Sequence, residues 1–198
     1  LNPAATTGQV RIKRLNNPAD VLAWLGKVSR FHETQLTAKE AGRPQAEWKE
    51  WVEENDGRGK IRRRQVDRSI GTREVSLLAG DASAKRLDLP ALQGGDPRPF
   101  EVIGIPLAEP GYHVVEIESG RLGQSLLATK APMYVRTGIL VTNLGVHFKH
   151  GRESSLAWVT SLDRAQPVAG AEVTVHDCTG KPLWRGTTDA QGRALVQQ

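Results

Sequence analysis

The chain is poor in sulfur and in aromatic rings. Of its 198 residues one is cysteine (Cys178), one is methionine, two are tyrosine and three are phenylalanine. A lone cysteine excludes an internal disulfide framework and says little about redox compartment. No apolar run approaches the roughly 20 residues that a membrane-spanning helix needs. The scarcity of rings leaves no aromatic row along one strand, which argues against a carbohydrate-active accessory sheet. The usual catalytic signatures are missing too. Serines occur in no Gly-x-Ser-x-Gly elbow, and Ser154-Ser155 lies where a loop enters a strand. Gly57-Arg58-Gly59-Lys60 lacks the preceding strand and following helix of a phosphate loop. The chain opens on Leu1 with no secretion signal, so it is expected to be an excised piece of a longer polypeptide.

What is present is ordinary for a globular protein: 25% charged and 38% hydrophobic residues, with a formal net charge of +5. That charge implies a mildly basic solvated surface rather than a nucleic-acid footprint. The densest positive run, Lys60-Ile61-Arg62-Arg63-Arg64, has no flanking aromatics for base stacking. It is expected to be a solvated strand or loop facing an acidic helix. The histidines (His32, His113, His147, His150, His176) are scattered. His147 and His150 are close in sequence but should point in different directions, with no third group to complete a zinc site. No metal, no cofactor and no catalytic residue is expected. Glu116 and Glu118 alternate onto one strand face and are expected to be a wet surface without a raised-pKa pocket.

Residues 154–196 carry the clearest pattern. Apolar-alternating runs at 156–162, 171–175, 183–186 and 193–196 are separated by Pro167, Gly170, Gly180 and Gly192, the pattern of an antiparallel β-sandwich. In the second run Ala171, Val173 and Val175 should be buried while Glu172, Thr174 and His176 stay wet. Asp189-Ala190-Gln191-Gly192 reads as a hairpin turn with Gly192 at positive φ.

Earlier in the chain, Gln9–Leu15 alternates as a strand with Val10, Ile12 and Leu15 facing inward. Asn17-Pro18 is a helix start. Val21, Leu22, Trp24, Leu25, Val28 and Phe31 follow at helical spacing, predicting a helix to about Gln35. A second helix is predicted from Pro44, with Trp48, Trp51 and Val52 on one side, stopping at Asn55-Asp56-Gly57. The tryptophan stripe is expected to pack within the chain; the alternative is an exposed partner surface. Strands are predicted at 73–78, 86–89, 100–107 and 112–118, the last burying Tyr112, Val114 and Ile117, with a Gly/Pro loop at 94–99. Residues 121–132 then connect to a second domain. The fold class expected is mainly β: two immunoglobulin-like antiparallel β-sandwich domains, 1–131 with a helical insertion at about 18–55, and 132–198, too short for a complete sandwich and therefore ending on an exposed edge.

The run from Val159 to Ala194 also resembles a family. Val159-Thr160-Ser161-Leu162, the turn Pro167-Val168-Ala169-Gly170-Ala171, the strand Val173-x-Val175-x-Asp177 and the hairpin Thr188-Asp189-x-x-Gly192 are similar to a macroglobulin domain of the bacterial alpha-2-macroglobulins. The likeness extends upstream through 134–147, and 111–119 resembles the closing strand of a preceding macroglobulin domain. The resemblance implies a scaffold fragment of a periplasmic protease inhibitor that entraps proteases attacking the envelope. Its partners would be proteases, reached through parts of the parent outside this chain, together with neighbouring macroglobulin domains and other envelope proteins. It also implies a parent anchored to the inner membrane by an N-terminal lipid. Some family members form a thioester from a Cys-x-Glu-Gln motif. Asp177-Cys178-Thr179-Gly180-Lys181 lacks it, so Cys178 is not that nucleophile. The rival from another class is an adhesin-like protein-binding sandwich, using its loop ends or the Trp24, Trp48 and Trp51 helices.

Overall fold

The computed structural model describes residues 8–32, 35–55, 57, 59–89, 102 and 104–197. The chain is mainly β. Its strands are β1 (Gln9–Leu15), β2 (Gln35–Thr37), β3 (Lys49–Asn55), β4 (Ile61–Asp67), β5 (Ser69–Gly71), β6 (Lys85–Asp88) and β7 (Gly111–Ser119). They continue with β8 (Met133–Val141), β9 (Leu144–Lys149), β10 (Ser154–Ser161), β11 (Glu172–His176), β12 (Pro182–Thr187) and β13 (Arg193–Gln197). Helix α1 (Pro18–Arg30) follows β1, and α2 (Gly120–Leu126) follows β7. A four-stranded sheet runs β6-β1-β7-β8 and a three-stranded sheet β13-β10-β9, while β11-β12, β2-β5 and β3-β4 form pairs.

Helix α1 starts where its sequence says it should. The Asn17 carbonyl accepts the Val21 amide at 3.0 Å, its side-chain Oδ1 accepts the Ala19 amide at 2.9 Å, and Pro18 takes the first helical position. Of the apolar stripe, Val28 and the following Phe31 are buried, whereas Leu25 is exposed. The helix ends at Arg30, short of the expected Gln35.

The second predicted helix is absent. Residues 45–47 make one 3-10 turn, after which 49–55 form β3, paired antiparallel with β4 from Lys49↔Asp67 to Asn55↔Ile61. Local spacing lost to long-range pairing. The acidic strand lies beside the basic one, so Glu53 meets Arg63 at 2.7 Å, Glu54 meets Arg64 at 3.0 Å and Lys49 meets Asp67 at 2.7 Å. The Lys60–Arg64 run does face acidic residues, but on a strand. Pro44 supplies no side-chain cap that would start a helix there.

Three other local expectations change. Residues 73–78 are no strand, because the chain makes a 3-10 turn at Thr72–Glu74 and then bends. The 121–132 connection contains α2, whose first turn is capped by Ser119 Oγ accepting the Leu122 amide at 3.2 Å. The loop expected at 94–99 lies outside the described residues, as do residues 100, 101 and 103; residues 104–107 are irregular.

The described residues fall into two compact units. The first draws on Leu1–Arg14, Gly26–Ile105 and Val114–Gly138 and the second on Leu15–Leu25, Pro106–His113 and Ile139–Gln198. In the first, Val10, Val28, Leu36, Leu78, Val114 and Met133 are among the buried apolar side chains. In the second, the cross-strand pairs Ala157↔Ala194 and Ser155↔Val196 place a buried row on one face of β10 and β13. The same register sets Phe148 opposite Ala157 and Val146 opposite Val159. On β9 that face is open, with Phe148 51% and Val146 61% exposed. In β11, Val173 and Val175 are half-buried, as are Thr174 and His176, so the expected dry and wet faces are not separated there.

Candidate functional site

Two arrangements stand out: a buried ionic layer in the first unit and a hydrogen-bonded knot in the second. The ionic layer grows from β7. Its residues Tyr112, His113, Val114, Val115 and Glu116 are all buried, so the strand does not alternate as expected. Glu116 is 0% exposed, which overturns its expected place on a wet face. Its carboxylate takes the Ser76 hydroxyl and the amide of Leu77 (2.7 Å) on one side, and the Leu78 amide (3.3 Å) closes the set. Arg136 on β8 faces it, with Nε 3.5 Å from Oε2, an ion pair without an aligned hydrogen bond. The guanidinium's terminal nitrogens donate instead to backbone carbonyls, of Thr72 at 2.9 Å, Val75 at 2.8 Å, Tyr134 at 3.3 Å and Phe31 at 3.4 Å. It also lies over the Phe31 ring, 5.3 Å from its centroid. Burial pushes the Arg136 pKa down from its ordinary value, and Glu116 pulls it back up.

The layer extends along β1. Arg11, expected on a polar face, is 7% exposed and pairs with Glu118 at 2.7 Å, while Lys13 pairs with Asp81 at 2.7 Å and donates to Ser83 at 2.6 Å. The Lys13 bond, then that from Ser83, holds the Asp81 carboxyl down at about 2. The phase of the strand carried a signal for Glu116. It sits at the same parity as Tyr112 and Val114, so burying those two buries it as well. A charged residue in phase with a core row needs a partner on a neighbouring strand, and Arg136 in Tyr134-Val135-Arg136-Thr137 is that partner.

The knot in the second unit is made of the residues that carry the family resemblance. Gly192 has φ 73°, and a Cβ on it would stand 2.4 Å from the Val159 carbonyl oxygen, so the turn accepts only glycine without strain. Asp189 caps that turn, its Oδ1 accepting the amides of Gln191 (2.9 Å) and Arg193 (2.8 Å). Thr188, 6% exposed, donates its hydroxyl to the Val168 carbonyl at 2.6 Å and accepts the Ala171 amide at 2.9 Å. The Val159 amide reaches the Gly192 carbonyl at 2.8 Å, and the Val168 amide reaches the Val159 carbonyl at 3.0 Å. One hydroxyl thus ties the Pro167–Ala171 turn to the strand that leads into the Asp189–Gly192 hairpin.

The other candidates are dispersed. Cys178 is exposed in the turn after β11, where Asp177 Oδ1 takes the amides of Thr179 (2.8 Å) and Lys181 (2.9 Å). His113 is buried with Nε2 2.8 Å from the Glu109 carbonyl. His147 lies against Trp158 with ring centroids 5.5 Å apart, and His32 is exposed beyond α1. His150 Nδ1 is 3.0 Å from Ser155 Oγ, a nucleophile-and-base spacing. Yet Ser155 is only 4% exposed and also accepts the Gly151 amide at 3.3 Å, so the pair clamps a turn. His176 and Thr174 help line an open groove of about 660 Å³ with Leu15, Pro18, Leu22 and Tyr112. Among the described residues no three His, Cys, Asp or Glu side chains gather as a metal site. Trp48 donates to the Arg43 carbonyl at 2.8 Å, Trp51 is 67% exposed on β3 and Trp24 is half-buried on α1, so the three form no shared stripe. No helix among the described residues is long and apolar enough to cross a membrane.

Residues 141–198 match the model of the bacterial alpha-2-macroglobulin MG3 domain. Two solved structures of native alpha-2-macroglobulin from Escherichia coli are similar in shape. One, spanning domains NIE-MG1, is 17% identical with a TM-score of 0.48 and covers 98% of this chain and 74% of that one. The other, spanning MG0-NIE-MG1, is 16% identical with a TM-score of 0.45. It covers 97% of this chain, which spans 48% of that one. No curated protein matches. Overlays at these scores leave the assignment on the sequence match, which contains the whole Thr188–Gly192 knot. Over residues 141–198, the chain is thus similar to a domain of the bacterial alpha-2-macroglobulins.

Proposed function

We propose that the chain is structural scaffold in a periplasmic protease trap of the bacterial alpha-2-macroglobulin type, its parent held at the inner membrane by a lipid. The observation that carries this reading is the match over 141–198 to a domain of that family. The chemistry of the trap, on this reading, belongs to other parts of the parent, and this chain contributes packing rather than catalysis. Its side chains support that role. Thr188, Asp189 and Gly192 lock a hairpin, Glu116 and Arg136 brace a sheet, and Ser155 is spent on a turn. The division into parts at 131/132 belongs to the same proposal, and is supported by a family match that begins at residue 141. The partners it implies are neighbouring macroglobulin domains, with proteases met elsewhere on the parent.

The test is to incubate the parent protein with an endoprotease and separate the products by size. The trap reading requires the protease to co-elute with the cleaved parent. A protease that elutes alone, with the parent digested or untouched, overturns it.

A further inference from the structure

The segment between β5 and β6 covers the ionic layer of the first unit, and it is held there almost entirely by charge. We propose that residues 72–84 are a strap that opens as a unit from the sheet while the rest of the first unit stays folded, with Glu116 as its clasp. Both ends of the segment are tied by strand ladders, Ser69–Gly71 to β2 and Lys85–Asp88 to β1. Opening therefore frees a short loop between fixed hinges rather than a chain end.

The anchors within the strap are polar. Glu116 holds the hydroxyl of Ser76 and the amides of Leu77 and Leu78; Arg136 holds the carbonyls of Thr72 and Val75. Lys13 holds Asp81 and Ser83, and Thr129 Oγ1 meets Glu74 at 3.0 Å. The apolar contribution is small: among the strap's large hydrophobic side chains only Leu78 is fully buried, at 1% exposed.

This division decides the energetics. When the strap lifts, its amides, carbonyls and hydroxyls exchange protein partners for water, so each bond lost costs only its small net value. Glu116 and Arg136 stay on the sheet with their ion pair intact and regain hydration, which offsets much of the loss of their hydrogen bonds to the strap. β7 is different. Val114 and Val115 are 0% and 3% exposed in the middle of the four-stranded sheet, and freeing them means dismantling that sheet. The strap thus opens at lower cost than the sheet beneath it unfolds. The open form presents two carboxylates and two guanidiniums, Glu116, Glu118, Arg11 and Arg136, on one sheet face.

The test is native-state hydrogen exchange on the whole chain at several low urea concentrations. The expected result is that the amides of Leu77, Leu78 and Ala79 are at least about tenfold less protected than those of Val114 and Val115, with little urea dependence. Glu116→Gln should speed strap exchange by a further factor of at least about ten, the loss expected for a hydrogen bond to a charged group. Ser76→Ala removes one clasp donor and also the acceptor of the Leu78 and Ala79 amides, so it is read at the Leu77 amide, whose exchange it should speed several-fold while leaving Val114 and Val115 unchanged. The proposal is overturned if wild-type strap amides exchange with the protection and urea dependence of β7. It is equally overturned if Ser76→Ala speeds both sets alike. The wild-type comparison decides the matter even if Glu116→Gln does not fold.

Discussion

Replacing Thr188 with valine tests whether the family motif is a hydrogen-bonded knot or an apolar packing element. The substitution is nearly isosteric, so it leaves no cavity and changes only the hydroxyl. That hydroxyl donates to the Val168 carbonyl at 2.6 Å and accepts the Ala171 amide at 2.9 Å, at a side chain 6% exposed. Both backbone groups lose a partner at a site that water scarcely reaches. Each of the two stranded groups costs about 1–3 kcal/mol, so Thr188→Val should destabilise the chain by about 2–6 kcal/mol. Thr188→Ser is the control. It keeps the hydroxyl and deletes a methyl, and should cost about 1 kcal/mol. Urea unfolding of the three proteins, with equal slopes, gives the differences directly. If Thr188→Val proves as stable as Thr188→Ser, the hydroxyl does not hold the turn and the reasoning fails.

Three further outcomes follow from the same geometry. Arg136→Met should cost about 3–5 kcal/mol in urea unfolding, because it strands the carboxylate of Glu116; adding Glu116→Gln should recover part of that loss, and a purely additive double variant would contradict the pairing. Asp81 has a folded pKa of about 2, below its ordinary 3.8, so its contribution is present above about pH 4 and lost as pH falls toward 2. The stability gap between wild type and Asp81→Asn, up to about 2 kcal/mol at pH 6, should therefore close by pH 2 in denaturant titrations; a gap independent of pH would contradict the Lys13 contact. Gly192→Ala should lower the unfolding free energy by at least about 2 kcal/mol and with it the urea midpoint, since alanine at φ 73° is strained and its Cβ meets the Val159 oxygen at 2.4 Å; an unchanged midpoint would refute the turn's need for glycine.

Much of the second unit was legible because its determinants are local. Gly192 at positive φ and Asp189 capping its own turn act within a few residues, and the alternation of Ala157, Val159, Ala194 and Val196 is written in each strand's own sequence even though β10 and β13 pair from far apart along the chain. The first unit was harder because its determinants are distant. Trp51 and Val52 share helical spacing with Trp48, yet the strand ladder that sets their conformation comes from β4, later in the chain. Glu116 looked like a surface carboxylate because its ligands lie 38 to 40 residues away in the strap. Its parity with Tyr112 and Val114 was readable in advance. The bend that carries Ser76, Leu77 and Leu78 to it was not, since those residues alternate like a strand and turn their amides inward only once a carboxylate is there to receive them.

The claim that this chain is passive scaffold is tested most directly by small-angle scattering of the parent protein before and after protease addition, with peptide mapping of the cleavage sites. A scaffold in a trap predicts that the radius of gyration falls on cleavage while every cut lies outside residues 1–198. An unchanged radius, or a first cut within this chain, would contradict it.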